Sequence, residues 1–448
     1  NYAWGDKNTK LVQNISFDNV GINKIKMSNF TNTTRIAFSN VVGAPSGEGS
    51  NFANSYLILE NMKNSGEKNP VVFDTSNASD LHFNKMEINN SNLTEIDFER
   101  CISSVRDMQI YKVNAGNKLS IRGQSLQKLS VTGGTTLNAQ KEKAVFATGS
   151  FNASLGVKPS LTIDNVTISG MEITATGNGS NDAPSGFNQI SIKNSNTTDI
   201  AITGIGSYSN TENVDIANIN SNGNINITLS AINSLKNLNI TTIPRLSTLT
   251  LSNVQSRETA NVRIYNAGYN GNGFTVKGSN TAVKMLEIGR TKDGTQSKLA
   301  SIESIETPLL ELNGVWASNL SLSDSNIGKI VVGDSNINNA YANEIGTLDL
   351  TTFSNNVNLY LNGTKNGDNR IGTIYAKGKI VDTIQVTNEK GSGSLTVNTF
   401  NLNEATIHEN SLRAAIKAVG GGNSDQLTAN ESKVIASSNT IKFSGTGT

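Results

Sequence analysis

Ile15-Ser16-Phe17-Asp18-Asn19-Val20, Ile25-Lys26-Met27-Ser28-Asn29-Phe30 and Ile36-Ala37-Phe38-Ser39-Asn40-Val41 are three copies of one frame, apolar-x-apolar-x-Asn-apolar. Their first residues lie 10 and 11 positions apart. Within each copy the apolar residues alternate with polar ones, so one side of a short strand faces an interior. Looser copies start at Leu57, Ile96, Met108, Leu119 and Leu129. The rhythm is clearest from Leu161 through Met171, Ile190, Ile200, Val214, Ile225, Leu238, Leu249, Val262, Phe274 and Leu286. It continues at Leu310, Leu320, Ile330, Leu348, Leu359, Ile374, Ile384 and Leu395.

Many short strands at even spacing make a sandwich, a barrel or a solenoid. Two features select the solenoid. Hairpins favour Asn-Gly or Asp-Gly between consecutive strands, whereas here most such dipeptides fall inside longer loops. The pattern also outruns a single sandwich of roughly 100 residues several times over. The expected fold is all-β: a right-handed, single-stranded parallel β-helix with protruding loops and a short C-terminal helix. Two strands and a weaker third give a coil of roughly 20–25 residues. About 18–20 such coils at roughly 4.8 Å each predict a rod of about 90 Å.

Asparagine occupies the strand ends at Asn19, Asn29, Asn40, Asn61, Asn165, Asn218, Asn253 and Asn266, each before an apolar residue or alanine. It tolerates the left-handed backbone that a sharp corner needs. Stacked amides on successive coils also predict a hydrogen-bonded ladder. The chain holds 65 Asn and 40 Gly. Hydrophobic residues make up only 36% and charged residues 16%. That balance describes a large polar surface on a thin core, without the charge of a disordered chain.

Loops are expected at Gly43–Ser55, Gly133–Pro159, Gly177–Gln189, Asn266–Gly273 and Asn362–Asn369. Two of them share a tetrapeptide, Ala44-Pro45-Ser46-Gly47 and Ala183-Pro184-Ser185-Gly186. Near the end, Leu412, Ala415, Ile416 and Val419 have helical spacing, and Gly420-Gly421-Gly422 stops the run. The expected organisation is therefore a β-helix over residues 1–403 and a capping segment with a short helix over 404–448.

A net charge of +1, without a block of like charges, gives no nucleic-acid footprint and no polybasic membrane patch. No apolar run approaches the roughly 18 residues of a membrane span. Asn1 is compatible with a signal segment removed or lying outside this sequence. Cys101 is the single cysteine, so no internal disulfide framework exists; it is expected to pack as a small apolar residue.

Catalytic constellations are scarce. His82 and His408 are the two histidines, more than 300 positions apart, and no Gly-x-Ser-x-Gly is present. Clustered Cys and His for zinc are lacking. Glu95, Asp97 and Glu99 alternate with Ile96 and Phe98, which puts three carboxylates on one strand face about 6–7 Å apart. Paired carboxylates at that separation hydrolyse glycosides. The competing expectation is a solvated face beside Arg100 and Arg106. Asp334, Asn336 and Asn338 resemble half a calcium loop but lack its glycine and closing glutamate. Gly391-Ser392-Gly393 precedes a strand instead of a helix, so it is no phosphate loop. Catalytic, cofactor and metal residues are all expected to be none.

Ile345-Gly346-Thr347-Leu348-Asp349-Leu350, its echo Ile371-Gly372-Thr373-Ile374-Tyr375, and Thr399-Phe400-Asn401-Leu402-Asn403-Glu404 resemble segments of the vacuolating-cytotoxin-like bacterial autotransporters. The Asn-rich coil style resembles that family across most of the chain, and the length resembles its cell-binding passenger half. The resemblance implies export through a C-terminal outer-membrane β-barrel translocator. It also implies an extracellular or bacterial outer-membrane location, binding to a host cell-surface receptor or glycan, and self-association side by side. The family's cysteine pair near the passenger's end and its pore-forming apolar segment have no counterpart here, which turns the expectation from toxin toward colonisation adhesin. The function expected is thus a non-enzymatic binding passenger, with no cofactor and no nucleic-acid partner. The alternatives are a structural spacer displaying another domain and a polysaccharide-active β-helix enzyme.

Overall fold

The computed structural model describes residues 55–63, 81–102, 105–138, 142–333, 341–363 and 369–387, with shorter segments at 14–21, 24–29, 35–42, 72–74, 395–401, 406–407 and 440–441. Side chains at 99–102 lie outside that description, as do the expected terminal helix, His408, Asp334–Asn338, Gly391–Gly393 and residues 43–54. The chain divides into two compact units, Asn1–Glu212 and Asn213–Thr448. The expected boundary at 403/404 falls in undescribed chain.

Both units are right-handed parallel β-helices, as the periodicity predicts. The three opening copies show how the rhythm becomes a coil. Ile15, Phe17 and Val20 pair with Ile36, Phe38 and Val41, so the first copy stacks on the third. The second copy instead stacks on the strand Tyr56–Glu60, Ile25 on Leu57 and Met27 on Leu59. Consecutive copies therefore belong to opposite walls, and two steps of ten or eleven residues make one turn. The same skip-one pairing runs through both units.

In the first unit the front wall stacks Ile25, Leu57, Met86, Met108, Leu129, Leu161 and Ile190, one per coil. The back wall stacks Phe98, Ile121, Phe146, Ile173 and Ile202. A short side wall stacks Leu93, Ala115, Leu137 and Ile168; it is the weaker third strand. All of these side chains are buried. In the second unit the front wall stacks Val214, Leu238, Val262, Leu286, Leu310, Ile330, Leu359 and Ile384. Each fully buried Leu, Ile, Val or Phe contributes about 1.5–3 kcal/mol, and none of it is available to a coil without a neighbour.

Coils are longer than expected where loops leave. Leu129 and Leu161 are 32 residues apart, and Ile330 and Leu359 are 29 apart. The described front walls hold seven and eight stacked strands, short of 18–20 coils. Gly133–Pro159 is not one loop. It carries part of the strand Lys128–Leu137 and all of Ala144–Thr148. In the latter four of five residues are buried, which erases the alternation.

The corners confirm the role of asparagine. Asn29, Asn61, Asn165, Asn218, Asn253 and Asn266 all have φ between 52° and 60°. Asn19 and Asn40 instead lie inside the strands Asn14–Gly21 and Arg35–Val42. Asn90, Asn194 and Asn280 share the left-handed conformation but precede Ser91, Ser195 and Thr281 instead of an apolar residue. Those hydroxyls are buried and bond to backbone: Ser91 Oγ donates to Asn89 O at 2.8 Å and accepts from Met62 N at 3.1 Å on the preceding coil. The amide ladder exists in pieces, Asn61 Nδ2 to Asn29 Oδ1 at 3.1 Å and Asn280 Nδ2 to Asn253 Oδ1 at 3.0 Å. Lys112 and Gly133 occupy the same corner column on later coils and cannot continue it.

Asn253→Val is expected to destabilise by about 1–2 kcal/mol, because a β-branched residue is strained at positive φ, and to lose the Asn280 bond as well. Asn253→Gly loses the same exposed bond but should melt closer to wild type than the valine variant, since glycine accepts that backbone.

Candidate functional site

Three loops of the first unit, residues 149–159, 176–188 and 206–212, leave successive coils at the same corner and bond to one another. Phe151 N donates to Pro184 O at 3.1 Å and Ala153 N to Asp182 O at 2.7 Å, joining the first loop to the second. Gly186 N donates back to Gly149 O at 3.1 Å. The second loop meets the third through Ser185 N to Tyr208 O and Asn210 N to Ser185 O, both 2.9 Å. Asn188, buried, adds Nδ2 to Asn210 O at 2.9 Å. Phe187 roots the middle loop in the core.

The stack is therefore ordered by backbone pairing although it has little regular structure. Ser185 and Gly186 of the repeated tetrapeptide sit at its centre; the other copy, Ala44–Gly47, lies outside the described residues. At the tip, Ala153–Leu155 forms a 3-10 turn, with Asn152 Oδ1 accepting from Ser154 N at 2.9 Å and Gly156 closing it at φ 63°. This turn presents Leu155, 72% exposed, and the next loop but one presents Tyr208, 41% exposed. An aliphatic and an aromatic side chain are thus held outward on backbone-paired loops, the residue types that anchor interfaces. Sequence reasoning located these loops but not their mutual bonding, which joins residues 22–37 positions apart.

The acidic strand is an ion-paired face. Ile96 and Phe98 are buried while Glu95 and Asp97 point outward. Asp97 Oδ2 lies 2.6 Å from Lys118 Nζ, and Glu95 stacks in register with Lys118. The side chains of Glu99 and Cys101 lie outside the described residues, as does that of His82. The structure brings together a second carboxylate pair that sequence reasoning missed: Glu287 and Glu311 stack on adjacent coils. Glu287 accepts from Tyr265 Oη at 2.5 Å and faces Arg263 Nε at 3.4 Å. Burial, then the bond to Glu287, push the Tyr265 phenol above its ordinary range, so it stays a donor. Among the described residues no three His, Cys, Asp or Glu side chains group as metal ligands. No helix of the described residues is long and apolar enough to cross a membrane.

No protein-family model, curated protein or solved structure matches the chain.

Proposed function

We propose that the chain is a binding passenger: a non-enzymatic, secreted or surface-displayed β-helix of the autotransporter type that attaches to host cells. The loop stack carries this reading, because it spends ordered backbone on displaying Leu155 and Tyr208 to solvent. A spacer needs no such display. Binding residues are concentrated on loops positioned by rigid scaffolds, and extended solenoids use their surfaces in this way. The short segments resembling vacuolating-cytotoxin-like autotransporters support the export route and the adhesin role. The enzyme alternative has less behind it, since Asp97 and Glu287 are each engaged by a cation.

The test is attachment of the fluorescently labelled chain to cultured epithelial cells. Saturable binding is expected, and Leu155→Asp with Tyr208→Ala should weaken it by about tenfold or more, the weight of an interface anchor. Circular dichroism should be unchanged, because both side chains are exposed. Absence of binding by the wild-type chain would leave the spacer reading in its place.

A further inference from the structure

A second surface lies on the first unit, along the corner between front and side walls. Here the left-handed column, represented by Asn90 and Lys112, runs beside the outward column of the side wall. That outward column stacks Lys63, Asn92 and Asn114 on three successive coils. Between them is a solvent-open groove of about 280 Å³, lined by these five residues and Gly134 among others.

We infer that this groove binds an anionic oligosaccharide, one bearing carboxylate or sulfate groups. Its lining holds two lysines and three asparagines, and none of its residues is acidic. Neither Lys63 nor Lys112 forms an ion pair among the described residues. Lys112 also departs from its column. Asparagine holds the position on the two coils before it, and a long side chain at φ 55° is uncommon. The departure places an ammonium group at the groove. Asn114 Oδ1 already accepts from Thr136 Oγ1 at 2.8 Å and Asn138 Nδ2 at 2.9 Å, so its amide offers donors to a ligand.

The spacing also fits. Lys63, Asn92 and Asn114 repeat at the inter-strand distance of about 4.8 Å, close to the rise of one sugar in an extended chain. An oligosaccharide lying along the stack would meet one polar side chain per sugar. The inference deepens the binding role proposed above, yet it is carried by residues other than the loop stack.

The experiment is isothermal titration of the full chain with a heparin tetrasaccharide, which carries both carboxylate and sulfate. An uncharged N-acetylglucosamine tetrasaccharide and phosphatidylserine vesicles serve as comparison probes. The heparin fragment should bind with a salt-dependent affinity, and the uncharged sugar should not bind. Lys63→Gln with Lys112→Asn should weaken binding by about tenfold or more; Asn at 112 restores the residue type of the column and should fold. Lys284→Gln with Lys292→Gln removes the same charge from exposed sites on the second unit and should leave affinity unchanged. Equal losses in both double variants, no binding by wild type, or preference for the vesicles would each overturn the inference. The Leu155→Asp/Tyr208→Ala chain should keep its tetrasaccharide affinity whatever it does on cells, which separates failure of this site from failure of the loop stack.

Discussion

Ile240→Asp is expected to abolish cooperative folding of the second unit or lower its thermal midpoint by more than any other single change considered. Ile240 is fully buried and stacks between Ile216 and Ile264 on the neighbouring coils. A carboxylate there has no facing cation, because every partner in register is aliphatic. Burying a charge unpaired exceeds the 4–5 kcal/mol that marks the extreme of single substitutions. The damage also spreads, since each coil is stable only against its neighbours. Ile240→Val keeps the shape and should cost about 0.5–1.5 kcal/mol. Circular dichroism melts of the two variants make the comparison. Similar melts would mean that residue 240 does not face a dry interior.

Asn343→Leu has the second largest expected effect, and for the opposite reason: here the interior needs a polar group. Asn343 is fully buried. Its Oδ1 accepts from Gly314 N at 3.0 Å and Val315 N at 2.8 Å, and its Nδ2 donates to Leu312 O at 3.0 Å. Its own backbone N donates to Asn369 Oδ1 at 3.3 Å, and Asn369 Nδ2 continues to Asn362 O at 2.8 Å. The two amides thus replace ladder bonds where the chain turns from front to back wall. Leucine has the same branching but leaves two N–H groups unpaired, at about 1–3 kcal/mol each, and reduces Leu312 O to its one remaining bond, from Gly333 N at 2.8 Å. A loss of about 3 kcal/mol or more is expected in denaturant titration. Asn319→Leu, at an exposed position, should stay within about 0.5 kcal/mol of wild type.

These two residues also mark what a reader of the sequence can and cannot see. Ile240 was legible: it lies in the unit starting at Leu238, its alternation is strict, and every unit start from Leu161 to Leu395 named from periodicity falls in a strand. Asn343 was not. Its partners lie about 30 positions away, and among 65 asparagines nothing local separates a buried one from an exposed one. Left-handed corners were legible where an apolar residue follows, as at Asn165. They were hidden at Asn90, Asn194 and Asn280, where a buried hydroxyl takes that place. The strand Ala144–Thr148 was lost because a strand buried on both faces no longer alternates. The candidate sites were the least legible. The groove and the loop stack consist of residues from different coils, and coil registry becomes known only once the strands are paired.

Outward residues of the front wall form one column, one per coil. In the second unit that column runs Asp215, Asn239, Arg263, Glu287, Glu311, Val331, Tyr360 and Gln385. Pulsed electron paramagnetic resonance between a spin label at 215 and labels at 311, 360 or 385, with Cys101 replaced by Ala, measures it directly. Stacked coils predict backbone separations of about 19, 29 and 34 Å, growing by about 4.8 Å per coil. Separations that fail to lengthen from 311 to 385 would contradict the stack.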